Sequence, residues 1–343
     1  MKKILSLSAA MLLCFLAHSQ EAENLGSYAE VSIIPRLDLN PYYSSEDSKL
    51  GFTHGNSSIY TLFEGSVGEH FSWTVANHWL ASLNEPATDE YNYAWPYKNL
   101  GYSNDYSWID YLKVDLTFGN WTFTLGKDCL TTLGFEYEDW DWDIHYDLAS
   151  PLWNSLIGYQ WGGKVAFAPV ESTSFSLQMT TSPYGERPFA SGLWTYSFQW
   201  RGEYGWFEPI WSYSALQIDK TKGAFQNVVS LGNKINFSDE FSFVFDWTGS
   251  FVNDDWKEAD YAFNQFRGVF KYAPSERFDV SLHGIVSKRF GESTWSCIGA
   301  LAQFYPLQDS QDLRIHADVA YYPGLKNVSL TVGALYNIRI TCW

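Results

Sequence analysis

Residues 241–248 read FSFVFDWT, and this stretch decides the fold class. Aromatic residues occupy every second position, and serine, valine, aspartate and threonine fill the positions between them. A chain that is extended through such a pattern presents one apolar face and one largely polar face. Residues 312–319, DLRIHADV, alternate in the same way and carry full charges on the polar face. Both stretches therefore predict strands whose two faces meet different surroundings.

The same alternation recurs along the chain and predicts a barrel. A soluble sandwich would need a second apolar set to fill its core, whereas the opposite faces here carry charges. A closed barrel with lipid outside and water inside satisfies both faces and leaves no unpaired edge. We therefore predict an all-β fold, a transmembrane antiparallel β-barrel of about sixteen strands of the usual membrane length. The predicted strands lie near 27–36, 57–67, 70–81, 106–118, 120–128, 157–168, 173–182, 192–203, 207–217, 225–237, 240–252, 260–272, 277–289, 295–305, 312–322 and 328–342.

The predicted connections alternate between short and long. Short turns on the periplasmic side and long loops outside are typical of outer-membrane barrels, and two periplasmic termini require an even number of strands. The short turns fall at 67–70, 118–120, 237–240, 273–277 and 309–311. The long links are 37–56, 82–105, 127–156 and 183–191.

The composition agrees with a membrane barrel and excludes some partners. Aromatic residues make up 19% of the chain, including 17 Trp, and girdles at two membrane interfaces would use them. The 39 acidic residues exceed the 22 basic ones, for a net charge of −17, which argues against binding nucleic acid. Acidic loops on an outward-facing surface would account for this excess.

The N-terminus predicts export. Lys2 and Lys3 precede an apolar core, residues 4–17, and the triplet 17–19 (AHS) fits a cleavage site. We expect residues 1–19 to be a signal peptide and residues 20–343 to form one barrel domain in the outer membrane. No later window approaches the roughly 18 unbroken apolar residues that a membrane helix needs.

Residues 126–156, GKDCLTTLGFEYEDWDWDIHYDLASPLWNSL, form a long predicted loop. From 139 to 148, acids and one histidine alternate with apolar, mostly aromatic residues, so an extended backbone places the acids on one face. A loop of about thirty residues is uncommon unless it is functional. We expect it to fold into the barrel mouth with its acids facing the channel. The candidate constriction residues are Lys127, Glu136, Glu138, Asp139, Asp141, Asp143, His145 and Asp147.

The spacing of Asp139, Asp141 and Asp143 opens like a calcium loop. The EF-hand pattern then requires glycine and glutamate where Ile144 and Ser150 stand, which excludes an EF-hand. We predict no metal site and no cofactor. Two interpretations of these acids stay open. They could form a looser site of carboxylate oxygens for a divalent cation, or an acidic rim that attracts cations.

Basic residues on the predicted inward faces form a second candidate set. Wall charges of both signs can set a transverse field that aligns solutes. They can equally pair as salt bridges that stiffen the wall, since Glu64, Asp115, Asp246 and Asp318 lie among them. The candidate set is Lys113, Lys164, Arg201, Lys234, Arg267, Arg314 and Arg339, and Lys271 lies on the same predicted inward faces.

His70 and Ser72 share one predicted strand face, as the base and nucleophile of a barrel lipase would. A hydrolase also needs a third group to orient the base and an oxyanion hole. The sequence identifies no residue for either role, so we predict that the protein is not an enzyme.

The central region resembles a known porin family. Gly126-Lys127, then Gly134-Phe135-Glu136 and Ser150, precede a glycine-bearing strand, as in the OmpL-like β-barrel porins and the related phosphate-selective porins O and P. The resemblance covers about residues 120–168 and implies that this region closes a strand, forms the constriction loop and re-enters the wall. Basic residues line the constriction of the phosphate-selective porins. Here Lys127 stands among seven carboxylates, so phosphate selectivity is not expected.

These observations predict a porin that passes small hydrophilic solutes or ions by passive diffusion. The C-terminal Trp343 resembles the signal that the barrel-insertion machinery recognises, so this machinery and outer-membrane lipid are expected partners. The sequence leaves open a monomer or a homotrimer. The alternatives are a non-conducting barrel used for adhesion or envelope anchoring and, third, an outer-membrane phospholipase.

Overall fold

A computed structural model describes residues 26–44, 49–53, 57–80, 109–138, 148–152, 158–185, 188–219, 223–252, 262–289 and 294–342. These residues form one closed antiparallel sheet with very little helix. The predicted leader, residues 1–19, lies outside them. No helix in the described part of the chain is long and apolar enough to cross a membrane.

Eighteen strand segments build the described sheet, and from β3 to β17 each strand pairs with the next one along the chain. The first nine are β1 (Tyr28–Ser44), β2 (Lys49–Thr53), β3 (Ser58–Val67), β4 (Phe71–Leu80), β5 (Ile109–Phe118), β6 (Trp121–Cys129), β7 (Tyr159–Val170), β8 (Thr173–Thr181) and β9 (Trp194–Gly202). The others are β10 (Phe207–Asp219), β11 (Ala224–Asn236), β12 (Phe241–Val252), β13 (Phe263–Ser275), β14 (Phe278–Arg289), β15 (Trp295–Phe304), β16 (Leu313–Tyr322), β17 (Asn327–Tyr336) and β18 (Ile338–Thr341). A single helical turn, α1 (Phe135–Glu138), follows β6.

The eighteen segments occupy sixteen positions around the barrel, which confirms the predicted fold. Strands β2 and β3 share one position, because both pair with the same edge of β1. Strands β17 and β18 share another position on the opposite edge of β1. The first and last strands therefore close the barrel, with Asp38 opposite Gly333 and Ile33 opposite Ile338.

One predicted connection is wrong. The sequence predicts a long link over residues 37–56, but β1 continues to Ser44 and β2 pairs with its end. The alternation persists here, because Leu37 and Leu39 are exposed while Asp38 and Asn40 are buried. Pro41 suggests a loop in the sequence because proline cannot donate to a strand ladder.

The predicted short turns all lie at one end of the barrel. They join β3 to β4, β5 to β6, β11 to β12, β13 to β14 and β15 to β16. Gly68 and Gly119 supply the positive φ values of 58° and 56° that the first two turns require. The long connections, including the one between β6 and β7, lie at the other end.

The two faces of the wall differ as the sequence predicted. Along β12, Asp246, Thr248 and Ser250 are buried towards the interior. The alternate residues form an outer aromatic surface in which Phe243 stacks on Phe270 of β13, with ring centroids 4.4 Å apart. Large apolar side chains exposed on this outer surface include Leu125, Leu177, Leu282 and Ile298, each about 60% exposed. A barrel with such an outer wall suits a lipid environment.

Candidate functional site

Two described parts of the connection between β6 and β7, residues 130–138 and 148–152, fold into the barrel. We call these two parts the inward segment. The amide and hydroxyl of Thr131 donate to Oε1 of Gln178 on β8, at 3.0 and 3.1 Å. The carbonyl of Thr132 accepts a hydrogen bond from Ser212 of β10, at 2.7 Å. The chain thus leaves β6 and crosses the inner faces of neighbouring strands.

The turn that begins α1 approaches the wall of β11 and β12 closely. The amide of Phe135 donates to Oδ1 of Asp246, at 3.0 Å, and Oδ2 of the same carboxylate accepts from Arg267, at 2.9 Å. A Cβ on Gly134 would lie 3.0 Å from the Cα of Gly232 and closer still to Asp246 Oδ1. Glycine suits this approach, because a Cβ would have to displace the backbone of Gly232 and the carboxylate of Asp246, which Phe135 and Arg267 hold.

Glu136 anchors the segment instead of facing open water. Its Oε1 accepts the amide of Ser150 at 2.8 Å, and its Oε2 accepts Nε2 of Gln265 on β13 at 3.2 Å. The side chain is almost fully buried. Burial raises the pKa of Glu136, while the guanidinium of Arg267 and the amide of Ser150 oppose that rise. The residue predicted to present a charge to the channel therefore joins the two ends of the segment to the wall.

Two apolar clusters fix the segment to the barrel. The first joins the segment to β10, β11 and β13, with Tyr137 and Tyr184 packed against it; its buried members are Leu130, Leu133, Leu152, Leu216, Val228 and Phe263. The second lies against β14, β15 and β16 and contains Leu148, Ala149, Ile285, Cys297, Leu301 and Ala320. A Cβ on Gly299 would clash with the side chain of Leu148, so this glycine makes room for the segment.

Lys127 belongs to the wall and not to the loop, which corrects the prediction. It lies inside β6, is buried, and donates to the carbonyl of Ile109. The sequence places Lys127 both at the end of the strand predicted over 120–128 and at the start of the long link predicted over 127–156. Gly126 permits a close approach at φ 129°, because a Cβ there would clash with the carbonyl oxygen of Leu112.

The predicted lumen lysines on β5 and β7 share a carboxylate. Nζ of Lys113 lies 3.2 Å from Asp128, and Nζ of Lys164 lies 2.7 Å from it. Lys113 also lies 3.9 Å from Asp115, whose carboxylate accepts the hydroxyl of Thr124. The two lysines are therefore paired with two carboxylates.

The other predicted lumen residues are engaged in the same way. The distances to a carboxylate oxygen are 3.3 Å for Arg201–Glu203, 3.1 Å for Lys234–Glu208, 2.9 Å for Arg267–Asp246, 2.9 Å for Arg339–Asp312 and 3.8 Å for Lys271–Asp279. Arg314 donates to Oε1 of Gln303 at 3.3 Å. Of the two readings that the sequence left open, this geometry matches salt bridges that stiffen the wall.

A buried polar network at the closing strands escaped the sequence reasoning. Nε2 of His316 on β16 lies 2.9 Å from Oδ1 of Asp38, whose Oδ2 lies 2.6 Å from Arg36. This contact passes over Gly333 of β17, where a Cβ would clash with Asp38 Oδ1. The alternating sequence 36–40, RLDLN, could have revealed these inward residues had it been read as a strand.

Several predicted residues lie outside the described residues. They are Asp139, Asp141, Asp143, His145 and Asp147, while Glu138 is described only through its backbone in α1. Within the described ranges, no group of three or more His, Cys, Asp or Glu residues is arranged to hold a metal ion. The carboxylates considered for a divalent cation are among those outside.

His70 lies in the turn between β3 and β4. Its Nδ1 is 2.9 Å from the carbonyl of Thr117, and its ring stacks on Phe118 with centroids 5.5 Å apart. These contacts tie two neighbouring turns together at the short-turn end of the barrel.

No protein-family model and no curated protein sequence matches this chain. Solved structures are similar in fold. They include the anion-selective porin from Comamonas acidovorans, with a TM-score of 0.63 at 9% identity over 91% of this chain and 100% of that one. The outer membrane channel DcaP of Acinetobacter baumannii gives a TM-score of 0.57 at 10% identity, covering 91% and 97%. A variant of the Rh. blastica porin gives a TM-score of 0.54 at 12% identity, over 90% of this chain and 100% of the porin. The chain therefore has the fold of a porin barrel.

Proposed function

We propose that this protein is an outer-membrane channel that lets small hydrophilic solutes and ions diffuse passively, and that the inward segment narrows it. The proposal rests on one observation above all. The inward segment, residues 130–138 and 148–152, is anchored to inward-facing side chains from β8 to β16, from Gln178 to Ala320. The lipid-suited outer wall and the similarity in fold to solved porins support the same function.

We assign the channel a preference for cations. Of the seven carboxylates between residues 126 and 156, Asp128 is paired with lysines and Glu136 is buried. The other five are Glu138, Asp139, Asp141, Asp143 and Asp147. Fixed charges of one sign in a narrow mouth raise the local concentration of counter-ions, over about 10 Å at 0.1 M salt. The paired wall cations offer little opposing field.

Recording from planar bilayers tests the channel. Purified, folded protein is expected to give stepwise conductance. Silent bilayers would overturn the proposal and favour a plugged barrel used for adhesion or envelope anchoring. A heat-modifiable band on an SDS gel should first show that the barrel is folded.

The remaining expectations complete this proposal. Residues 1–19 act as a cleaved export signal, and the barrel-insertion machinery receives the C-terminal strand. The likeness of residues 120–168 to the OmpL-like and phosphate-selective porins supports the role of the inward segment. The acidic composition of that segment does not support phosphate as the solute. We assign no enzymatic role and no cofactor.

A further inference from the structure

The connection between β8 and β9 folds over the rim of the barrel. We call its described residues, 182–185 and 188–193, the rim clamp. On the inner side, Tyr184 packs against the apolar cluster that holds the inward segment. On the outer side, the ring of Phe189 lies 6.2 Å from that of Trp194 and 6.5 Å from that of Trp161. The clamp therefore contacts both the interior and the outer aromatic surface.

A chain of hydrogen bonds extends the inner contact across several strands. The hydroxyl of Tyr184 donates to Oε1 of Gln226 on β11. Nε2 of Gln226 donates to Ser250 of β12 at 3.2 Å, and that hydroxyl accepts the amide of Phe263 on β13 at 3.2 Å. Ser182 fixes the start of the clamp by donating to the carbonyl of Gln217, at 2.7 Å.

The outer contact holds the clamp in an unusual backbone conformation. Phe189 has a φ of 62°, in the left-handed region that residues other than glycine rarely adopt. Surrounding contacts must maintain such a conformation. Phe189 is also 57% exposed, and its ring extends the outer aromatic surface beside Trp161 and Trp194.

We infer that the rim clamp holds the inward segment in place, with Tyr184 as a positioning residue. The clamp covers the cluster of Leu130, Leu133 and Leu152, which fixes the two described ends of the segment. Loss of the Tyr184 hydroxyl would leave the buried acceptor of Gln226 short of one donor and loosen this cover. The consequence for conduction rests on the proposed function, because a looser segment makes the opening fluctuate.

Hydrogen exchange tests the clamp without any need for conduction. The amides of Thr131 and Phe135 are hydrogen-bonded to wall side chains, so their exchange reports detachment of the segment. Tyr184→Phe should speed their exchange about fivefold, and Tyr184→Ala by more than about thirtyfold, because the second change also removes packing. Phe189→Ala should act in the same direction by releasing the outer contact.

Tyr213→Phe is the matched control. The hydroxyl of Tyr213 also donates to a side-chain oxygen of β11, that of Asn227 at 2.6 Å, but its ring is exposed on the outer wall. This variant should leave exchange and channel noise unchanged. In bilayers, Tyr184→Phe should show more frequent brief closures than the wild type. Equal exchange in Tyr184→Phe, Tyr184→Ala and the wild type would overturn the inference. If the wild-type protein does not conduct in bilayers, the proposed channel function is overturned. The hydrogen-exchange result then still tests whether the rim clamp holds the inward segment.

Discussion

Oε1 of Glu136 accepts the amide of Ser150 at 2.8 Å, which joins the two described ends of the inward segment. Its other oxygen accepts a hydrogen bond from Gln265 of the wall. One buried carboxylate thus closes the segment and attaches it to the barrel. A charged side chain that reads as a channel residue in the sequence acts as an anchor in the fold.

Removing this carboxylate should loosen the segment. Glu136→Ala leaves the donors of Ser150 and Gln265 buried without an acceptor, at a cost of about 1–3 kcal/mol. Glu136→Gln keeps one acceptor and should cost less. In single-channel recordings, the conductance or its noise should increase from the wild type to Glu136→Gln and increase further in Glu136→Ala. Glu203→Gln is the control, because Glu203 pairs with Arg201 at an exposed site. An alanine variant with wild-type noise would contradict the anchoring role.

Acid should tighten the same anchor. The pKa of Glu136 is raised above its ordinary value of 4.5, chiefly by burial. A raised folded pKa means that the anchored state gains stability as the pH falls through that pKa towards 4.5, and loses it as the pH rises. Exchange of the Phe135 amide should therefore slow as the pH is lowered in this window, after correction for intrinsic exchange.

Glu136→Gln provides the control for the pH effect. The amide side chain does not titrate, so the pH dependence that belongs to Glu136 should be lost over the same window. The Phe135 amide donates to the carboxylate of Asp246, so only a pH dependence as large as that of the wild type would assign the effect to another group.

A methyl group at Gly134 should displace the segment. The Cβ that Gly134→Ala introduces would lie 3.0 Å from the Cα of Gly232, so the two backbones would have to move apart. Overpacking of this kind costs about 1–3 kcal/mol. Gly134→Ala should raise the mean conductance and lower the unfolding midpoint in urea. Gly284→Ala is the matched control, because a Cβ there meets nothing within 4 Å. Equal behaviour of the two variants would contradict the close approach.

The network at the closing strands should stabilise the barrel as a whole. Asp38→Asn removes the negative partner of the buried Arg36 and of His316, and breaking a buried pair costs about 3–5 kcal/mol. Arg339→Gln should cost at most about 1 kcal/mol, because its pair with Asp312 is half exposed. Both variants are unfolded in urea, and the folded fraction is read from the heat-modifiable band on gels. The two unfolding midpoints are then compared. Similar midpoints would show that the buried network does not hold the closure.

The sequence predicted what depends on local pattern. Alternation with a period of two is visible in any strand, and it located the sixteen strand positions and the short-turn end. The extension of β1 beyond residue 36 was missed, although the alternation continues through residues 37–40. Lys127 fell in the overlap between the strand predicted over 120–128 and the link predicted over 127–156, because alternation alone does not fix where β6 ends.

Contacts between distant residues could not be predicted. Glu136 and Gln265 are 129 positions apart, and nothing local to Glu136 shows that it will be buried. The network of Asp38 and His316 joins residues 278 positions apart across the closure. The pairing of Lys164 with Asp128 required the register between β6 and β7, which alternation alone does not fix.

The reversal potential across a salt gradient tests the central claim most directly. We predict that the wild-type channel prefers cations, and that Asp139→Asn/Asp141→Asn/Asp143→Asn moves the reversal potential towards zero at low salt. Lys234→Gln/Glu208→Gln, which removes a matched pair from the wall, should leave it unchanged. Anion preference in the wild type, or an unchanged reversal potential in the triple variant, would contradict the account.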